Sequence, residues 1–213
     1  MYASTVITAI TSSRLLPVAV VDSAEQAVDL AGALVRGGMT TMEVTLRTGA
    51  ALAAIQAIHS VWSDLVVGAG TVLSADEAER SIAAGASFIV SPGLDAEIVS
   101  VCQSQETVVI PGVCTPSEVM QARRLGLSVL KFFPAEQMGG AAMLSALQAV
   151  FADVRFVPTG GISPSNLGAY LSLSNVAACG MSWLADIELV RSGNFGDIEQ
   201  RAREACGLLR MRS

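Results

Sequence analysis

Short apolar runs alternate along this chain with longer amphipathic stretches, and the pattern recurs eight times. The runs contain six to eight residues, and successive runs begin 19 to 26 residues apart. This spacing accommodates one strand, one helix and two short loops. The pattern therefore predicts eight strand–helix units. The runs occupy residues 15–21, 41–46, 65–72, 88–93, 107–113, 129–135, 155–161 and 176–182.

Signals for helix ends lie between the apolar runs. Ser23 and Ser74 each stand three residues before a glutamine or glutamate, which is the spacing of a capping box. Residues 115–118, Thr-Pro-Ser-Glu, add proline at the first helical position to the same box. These positions predict helix starts. Glycines that can adopt the left-handed conformation of a helix end stand at Gly37, Gly85 and Gly126.

Alternating strands and helices predict a parallel sheet with right-handed crossovers. Eight units can close into a (β/α)8 TIM barrel, and 213 residues is near the lower end of its size range. An open doubly wound sheet is the alternative, but no glycine-rich dinucleotide fingerprint follows the first run. We therefore predict a single α/β barrel domain over residues 1–213. An extra helix over residues 1–13 and a closing C-terminal helix from Asp197 complete this expectation.

The composition agrees with strands that are covered on both faces. Hydrophobic residues make up 52% of the chain and charged residues 15%, which is more apolar than an average soluble chain. The longest charge-free stretch, residues 156–185, is interrupted by Pro158, Gly160 and Pro164. It does not approach the ~18 consecutive apolar residues of a spanning helix. We therefore expect no membrane association.

Charge and cysteine content exclude further classes. A net charge of −6, with no basic cluster larger than Arg123–Arg124, argues against nucleic acid as a partner. The N-terminus lacks the basic segment of a secretion signal, and the four cysteines form no CxxC pair, so we expect reduced thiols in the cytoplasm. His59 is the only histidine, which precludes a multi-histidine metal site.

Polar or glycine-rich segments stand within or just after seven of the runs. Active sites of such barrels form at the carboxyl ends of the strands, so we expect the functional residues there. The segments are Glu43, Thr45 and Arg47 in the second run, Thr71 in the third, Ser91-Pro92-Gly93 in the fourth, Pro111-Gly112 in the fifth, Lys131 in the sixth, Thr159-Gly160-Gly161 in the seventh and Gly180-Met181-Ser182 in the eighth.

Lys131 is the only lysine of the chain, and it lies between Val129–Leu130 and Phe132–Phe133. An exposed lysine is protonated at neutral pH, but removal from water disfavours the charged form. A neutral amine can attack a ketone and form a Schiff base. The alternatives are an ion pair with Glu43 or Glu136, or an aliphatic stem that brings the amine to the surface.

Glu43 lies among apolar residues of the second run, so its carboxylate needs a partner or an altered protonation state. It can act as a general acid and base beside an imine. It can also pair with Arg47, because alternation puts both residues on one face of the strand. Arg47 in turn can hold a substrate carboxylate through its fork of donors, or lie in solvent.

The segments Thr159-Gly160-Gly161 and Gly180-Met181-Ser182 follow the last two runs. Barrels frequently bind phosphate at these loops through backbone amides, and glycine lets the anion approach closely. A glycine pair alone is usually only a turn. Two such loops at the expected place favour a phosphate site.

Together these segments resemble the aldolase family that acts on 2-keto-3-deoxy-6-phosphogluconate (KDPG) and 4-hydroxy-2-oxoglutarate. The resemblance implies a class I, metal-independent aldolase on a barrel, usually a homotrimer. It implies a small-molecule 2-keto acid and a phosphorylated aldehyde as partners, and no cofactor. The matching segments are EVTLRT (43–48), GAGTV (68–72), SPGL (91–94), IPGV with TPSE (110–118), KFFPAE (131–136), PTGGISP (158–164) and SWL (182–184).

The resemblance also implies a role for individual residues. Lys131 corresponds to the Schiff-base lysine, and Glu43 to the acid–base that moves protons. The substrate-binding residues implied are Arg47 and Thr71 for the carboxylate, Pro92 and Phe133 around the imine, and Thr159, Gly160, Gly161 and Ser182 at the phosphate end.

Two positions depart from the family pattern. Met181 stands where the family usually has the second glycine of Gly-Gly-Ser. If position 181 requires positive φ or close approach to phosphate, methionine costs about 1 kcal/mol for the backbone and weakens phosphate binding. The second departure is the segment Val20-Val21-Asp22, which stands where some relatives have an arginine.

The sequence thus predicts reversible cleavage of KDPG to pyruvate and glyceraldehyde 3-phosphate. A related aldolase for 4-hydroxy-2-oxoglutarate or a stereoisomeric 2-keto-3-deoxy sugar acid is the nearest alternative. A phosphate-binding barrel isomerase or epimerase, which needs no imine, and a non-catalytic barrel are more remote alternatives.

Overall fold

Strands and helices alternate throughout the computed structural model, which describes residues 2–210. The strands are β1 (Leu15–Ala19), β2 (Thr41–Thr45), β3 (Val66–Gly70), β4 (Phe88–Val90), β5 (Val108–Ile110), β6 (Gly112–Val113), β7 (Val129–Phe132), β8 (Arg155–Pro158) and β9 (Cys179–Met181). The helices are α1 (Tyr2–Ser13), α2 (Ala24–Arg36), α3 (Ala51–Val61), α4 (Ala75–Ala83), α5 (Ala96–Ser104), α6 (Pro116–Arg124), α7 (Gly140–Gln148), α8 (Leu167–Leu171), α9 (Ile187–Arg191) and α10 (Phe195–Arg210). Short 3-10 helices span Glu136–Met138 and Trp183–Ala185.

The strands form two parallel sheets rather than one continuous eight-stranded sheet. The first has the order β5-β4-β3-β2-β1-β9 and the second the order β6-β7-β8. The prediction of a parallel α/β chain is confirmed. Within residues 2–210, however, the finer prediction of eight strands in one closed ladder is met only in part. Isolated parallel bridges lie between the two sheets, from Phe156 to Val176 and from Thr159 to Gly180.

Prolines lie where the ladder is interrupted. Pro111 separates β5, which pairs with β4, from β6, which pairs with β7. Pro158 ends β8 between the two isolated bridges. Proline has no N–H to donate to a neighbouring strand, so a regular ladder cannot pass through it. The carbonyl oxygen of Pro111 still accepts the Lys131 N–H at 2.9 Å.

Alternate residues of the strands face two separate hydrophobic clusters. Leu15 and Leu130 belong to the larger cluster, where the strands pack against the helices. Leu16 and Val129 belong to a smaller cluster on the other face. Because successive strand residues point to opposite faces, Lys131 lies on the same face of β7 as Val129.

The N-terminal helix covers one end of the smaller cluster. Val6 and Ile10 of α1 are buried in it beside Phe88, and α1 packs against β1, β2 and β5. Gly68 leaves room for the Phe88 ring, since a Cβ atom at Gly68 would lie 2.2 Å from it. The predicted extra helix is confirmed over residues 2–13, and residue 1 lies outside the described residues.

The predicted helix starts are confirmed. The side-chain oxygens of Ser23, Ser74 and Thr115 each accept a hydrogen bond from the backbone N–H three residues later. Thr115 and Glu118 form the complete reciprocal box. These caps satisfy N–H groups that have no partner within the helix.

The three predicted helix stops are confirmed, but only two of the three glycines adopt the expected left-handed conformation. Gly85 and Gly126 have left-handed φ values of 97° and 80°. Gly37 instead has φ −75°, and the next residue, Gly38, has φ 95°. The helix ends at Arg36 with Gly37 as its cap, and the left-handed turn falls on Gly38, because a second glycine is available for it.

The C-terminal helix is present as predicted and begins two residues earlier, at Phe195. It packs against α2, where Arg36 Nε lies 2.8 Å from Glu199 Oε2. The predicted helix extends beyond residue 210, and residues 211–213 lie outside the described residues. None of the helices within 2–210 is long and apolar enough to cross a membrane.

Candidate active site

One cavity of about 360 Å³ lies where the strands end, and it brings together all ten residues that the sequence assigned to the site. Four further residues line it: Val18, Thr45, Ile162 and Gly180. The assigned residues in its wall are Glu43, Arg47, Thr71, Pro92, Lys131, Phe133, Thr159, Gly160, Gly161 and Ser182.

Lys131 and Glu43 form the charged centre of the cavity. Lys131 Nζ lies 3.7 Å from Glu43 Oε1, and the two residues are 6% and 1% exposed. The alternative in which the stem of Lys131 carries its amine to the surface is therefore wrong. The geometry is that of a buried ion pair, and it is also close enough for proton exchange through one water molecule or a substrate hydroxyl.

The other partners considered for these two residues are engaged differently. Glu136 accepts a hydrogen bond from the Tyr170 hydroxyl, and no ion pair joins it to Lys131. Among the described residues, Arg47 has no ion pair with Glu43 and its guanidinium makes no hydrogen bond. The exposed fork of Arg47 therefore remains available to an anion in the cavity.

Glu43 owes its position to a glycine on the neighbouring strand. A Cβ atom at Gly70 of β3 would lie 2.0 Å from Glu43 Oε1, so only glycine leaves space for the carboxyl group. Neither oxygen of Glu43 has a hydrogen-bond partner among the described residues. A buried acceptor without a hydrogen bond is costly, so a donor in the cavity is expected to supply one. Both oxygens can therefore accept a hydrogen bond from a bound substrate or water.

An aromatic ring and a backbone hydrogen bond hold Lys131 in place. Its Nζ lies 5.1 Å from the centroid of the Phe133 ring, a distance at which an ammonium group is attracted to the ring face. Its backbone N–H binds Pro111, and β7 is paired on both sides. The amine therefore projects from a rigid, doubly paired strand.

Thr71 lies at the end of β3 in a left-handed conformation, with φ 58°. A β-branched residue rarely adopts this conformation, which costs of the order of 1–3 kcal/mol. Strain of this kind concentrates at ligand sites. The observation agrees with the predicted placement of Thr71 in the site, beside the rim that bears Arg47.

Two glycines with positive φ form the opposite end of the cavity. Gly160 and Gly161 have φ values of 100° and 80°, a conformation that favours glycine. Gly180 lies beside them, and a Cβ atom there would lie 2.2 Å from Thr159 Oγ1. Among the described residues, Arg47 and Lys131 are the only basic ones in the lining, so neither glycine loop contributes a basic side chain.

Met181 does not have the conformation that would make it costly. It lies in β9, is absent from the residues with positive φ, and its side chain is fully buried in the larger cluster. Strand alternation directs it away from Gly180 and Ser182, which line the cavity. The expected backbone penalty therefore does not arise.

The cysteines and the histidine lie outside the cavity. Within residues 2–210, no disulfide joins any two of the four cysteines. Burial raises the pKa of the Cys102 thiol to about 11 and that of Cys179 to about 12, so both thiols stay protonated at neutral pH. His59 is exposed on α3. Within residues 2–210, no group of three or more His, Cys, Asp or Glu side chains could hold a metal ion.

Four lining residues received no individual role from the sequence, although two of them belong to the segments expected at the strand ends. Thr45 shares a strand face with Glu43, as expected, and its hydroxyl donates to the Ala19 carbonyl oxygen at 3.0 Å. Gly180 belongs to the predicted phosphate loop. Val18 and Ile162 were missed: Val18 lies opposite Glu43 in the pairing of β1 and β2, which the sequence does not reveal, and no pattern distinguishes Ile162.

Comparisons with known proteins indicate the class to which this cavity and fold belong. Residues 6–201 match a family model described as KDPG and KHG aldolase. A 2-dehydro-3-deoxy-phosphogluconate aldolase of Treponema pallidum is 44% identical over 194 residues, covering 91% of this chain and 92% of the relative. A KHG/KDPG aldolase of Escherichia coli is 43% identical over 196 residues, covering 92% of each.

Solved structures agree with these relatives. A KDPG aldolase from Legionella pneumophila, with pyruvate captured as a covalent carbinolamine intermediate, is 39% identical. It superimposes with a TM-score of 0.90 and covers 93% of this chain and 97% of its own. A KDPG aldolase of Zymomonas mobilis with 3-phosphoglycerate is 37% identical, with a TM-score of 0.87 and 96% coverage of each chain. The chain therefore belongs to the KDPG and KHG aldolase family.

Proposed function

We propose that this protein is a class I aldolase that reversibly cleaves KDPG to pyruvate and glyceraldehyde 3-phosphate. The main support is the buried pair of Lys131 Nζ and Glu43 Oε1 at 3.7 Å. The same cavity contains Arg47, which has no ion pair within the described part of the chain. Family membership supports the same lyase chemistry. The amine–carboxyl pair is the observation on which the proposal depends. Formation of a Schiff base needs a nucleophilic amine at the carbonyl carbon, and a neighbouring acid–base group moves the protons.

The first half of the reaction forms an imine. Lys131 first gives a proton to Glu43, and its neutral Nζ then attacks the C2 ketone of the substrate and gives a carbinolamine. Glu43 donates a proton to the departing hydroxyl, so that water leaves and a protonated imine remains. The positive nitrogen attracts the electrons of neighbouring bonds, which prepares the bond between C3 and C4 for cleavage.

The second half breaks the carbon–carbon bond and restores the amine. A base removes the C4 hydroxyl proton, the bond between C3 and C4 breaks, and its electron pair forms an enamine on the pyruvate unit while glyceraldehyde 3-phosphate leaves. Protonation of C3 regenerates the imine. Water then adds to C2, and pyruvate is released with Lys131 free. Glu43 is the proposed proton carrier in each step, since its oxygens have no hydrogen-bond partner among residues 2–210 and Lys131 Nζ lies 3.7 Å from one of them.

The remaining lining residues bind the ends of the substrate. Arg47 and Thr71 hold the C1 carboxylate, and Pro92 and Phe133 enclose the imine. Thr159, Gly160, Gly161 and Ser182 receive the phosphate through backbone and hydroxyl donors. The imine is the only covalent group that this scheme needs, and we propose that no metal or cofactor takes part.

We also propose the finer architecture and state of the protein. The two sheets form one closed eight-stranded barrel in a single domain over residues 1–213. The support is that β5 and β6 are consecutive and that bridges connect β8 to the segment containing β9. A cytoplasmic homotrimer is the proposed assembly, on the basis of the family resemblance.

Trapping with borohydride tests the proposed function. The protein is mixed with pyruvate and sodium borohydride, digested and analysed by mass spectrometry. Because Lys131 is the only lysine, a reduced adduct can form only there or at the α-amino group. An adduct on Lys131 and its loss in Lys131→Ala are expected. Failure of the wild-type protein to form it would favour an isomerase or a non-catalytic barrel.

A second candidate substrate is 4-hydroxy-2-oxoglutarate. Among the described residues, the glycine loops contribute no basic side chain to the cavity, so this end does not exclude a substrate that lacks phosphate. The Escherichia coli relative is described as acting on both compounds. Comparing kcat/KM for the two substrates decides between them, and a higher value for 4-hydroxy-2-oxoglutarate would replace KDPG as the main substrate.

A further inference from the structure

The carbonyl groups of the Gly160–Gly161 turn are held from outside the cavity. The Glu136 N–H donates to the Gly160 oxygen at 3.1 Å. The side-chain amide of Asn166 donates to the Gly161 oxygen at 2.9 Å. Neither Glu136 nor Asn166 lines the cavity, whereas both glycines do. The turn is therefore fixed on its outer side by two different segments of the chain.

This arrangement directs two backbone N–H groups toward the cavity. In a trans peptide the C=O and the following N–H point in opposite directions. The carbonyls of Gly160 and Gly161 point outward, so the N–H groups of Gly161 and Ile162 point inward. Neither group donates a hydrogen bond in the part of the chain that the structure describes. Their orientation depends on how firmly the outer bonds hold the carbonyls.

Glu136 is itself fixed by a buried tyrosine. The Tyr170 hydroxyl of α8 donates to Glu136 Oε1, and Tyr170 is only 1% exposed. Burial, together with this bond to Glu136, raises the pKa of Tyr170, so its hydroxyl stays a donor at neutral pH. The bond to Tyr170 fixes the side chain of Glu136, and the backbone N–H of the same residue binds the Gly160 carbonyl oxygen.

Glycine leaves space for this anchor on two sides. A Cβ atom at Gly161 would lie 2.5 Å from Glu136 Cγ, so the Glu136 stem lies directly against the turn. A Cβ atom at Gly140 would lie 3.0 Å from the Tyr170 hydroxyl and 3.1 Å from Glu136 Oε1. A carboxylate close to a site for an anion is electrostatically unfavourable. The Glu136 carboxylate therefore needs a compensating interaction beside the Gly160–Gly161 turn, and the hydrogen bond from Tyr170 is one.

We propose that Tyr170 and Glu136 are positioning residues that set the Gly160–Gly161 turn for the terminal phosphate of the substrate. This inference rests on the proposed function, because it concerns the phosphate end of the same cavity. The pair does not touch the reacting carbon atoms. Its loss should affect phosphorylated substrates selectively, and leave imine formation at Lys131 intact.

The main test compares phosphorylated and unphosphorylated substrates. In Tyr170→Phe, we expect kcat/KM for KDPG to fall about tenfold, mainly through KM, because one bond to a charged acceptor is lost. We expect kcat/KM for the unphosphorylated 2-keto-3-deoxygluconate and the rate of pyruvate trapping to change by less than about twofold. Inhibition by inorganic phosphate should weaken in parallel with the loss for KDPG.

Two further variants separate positioning from folding. Glu136→Gln keeps a carbonyl acceptor for Tyr170 and should retain most of the selectivity, whereas Glu136→Ala should behave like Tyr170→Phe. Asn175→Ala is the matched control, because it removes a buried hydrogen bond of 2.8 Å to the Leu144 oxygen outside the cavity. It should lower thermal stability without changing the substrate ratio.

The outcomes distinguish this inference from the proposed function. A wild-type protein that forms no pyruvate adduct contradicts the proposed function itself. A wild-type protein that forms the adduct but does not prefer KDPG to unphosphorylated 2-keto-3-deoxygluconate contradicts both the KDPG assignment and the inference. A wild-type protein that prefers KDPG, with a Tyr170→Phe variant that loses activity equally on both substrates, overturns the inference alone. If Tyr170→Phe does not fold, the same comparison between Glu136→Gln and Glu136→Ala decides.

Discussion

Glu43 Oε1 lies 3.7 Å from Lys131 Nζ although β2 and β7 belong to different sheets. The contact therefore depends on how the two sheets face each other, and not on the pairing of neighbouring strands. It also depends on Gly70, whose missing side chain provides the space for the carboxyl group. The candidate site is thus a product of tertiary structure more than of any single motif.

Replacing Glu43 by glutamine should slow turnover, but Lys131 should still form an adduct with pyruvate. Glu43→Gln keeps the size of the side chain but cannot exchange a proton, so we expect kcat to fall by roughly 10² to 10⁴. Steady-state kinetics with KDPG and borohydride trapping measure the two effects. Glu188→Gln, at a residue on the surface of α9, is the control. Unchanged kcat in Glu43→Gln would contradict the proposed proton transfer.

A methyl group at position 70 should disturb the same carboxyl group. In Gly70→Ala the new Cβ would lie 2.0 Å from Glu43 Oε1, so Glu43 must move away from Lys131. We expect kcat to fall at least about tenfold, since moving a catalytic group by about 1 Å can lower the rate by about 10²-fold. Gly196→Ala is matched, because no atom lies within 4 Å of that position. Equal activity of the two variants would show that the position of Glu43 is unimportant.

The capping box of α6 should make stability depend on pH. Burial raises the pKa of Glu118, but hydrogen bonds from Cys114 and Thr115 outweigh burial and leave the pKa below its usual range. The stabilisation is therefore present above the pKa of unfolded glutamate, about 4.3, and is lost as pH falls through the lower folded value.

Thr115→Ala measures this contribution. We expect it to lower the free energy of unfolding by about 1 kcal/mol at pH 7, where the cap is charged. The difference from the wild type should shrink below pH of about 4. Urea denaturation at both pH values gives the comparison, with Thr107→Ala, on an exposed loop, as control. A difference that grows in acid would be opposite in sign to this account.

The buried thiols should be unreactive in the folded protein. Burial raises the pKa of Cys102 and Cys179, so little thiolate is present at pH 8. We expect iodoacetamide to leave both residues unlabelled in native protein and to label them in urea, as peptide mass spectrometry measures. The half-buried Cys206 provides an internal reference for access. Rapid native labelling of Cys179 would mean that β9 opens readily.

Periodicity predicted the strands well because each buried strand leaves a short apolar run. All eight runs contain strands, and the caps at Ser23 and Ser74 are as predicted. The break at Pro111 was not predicted, since the sequence does not indicate which strand pairs with each half of the run. The left-handed turn at Gly38 rather than Gly37 has a similar cause, because either of two adjacent glycines could adopt that conformation.

The candidate site residues were predicted from their positions along the apolar runs and from the family resemblance. A lining residue whose place depends on the register between neighbouring strands was missed. Lys131 and Thr71 are polar groups in apolar runs, so they are conspicuous in the sequence. Val18 is apolar in an apolar strand, and only the register with Glu43 identifies it. Met181 is the opposite case: its sequence position suggested interference, but strand alternation buries its side chain away from the cavity.

The N-terminal helix has a consequence for the face of the strands on which Lys131 lies. Val6 and Ile10 of α1 are buried in the smaller cluster, and this cluster occupies the face of β7 that also bears Lys131. The helix therefore keeps water away from the apolar residues of that face. A chain shortened by these residues would expose Leu16 and Phe88 to solvent.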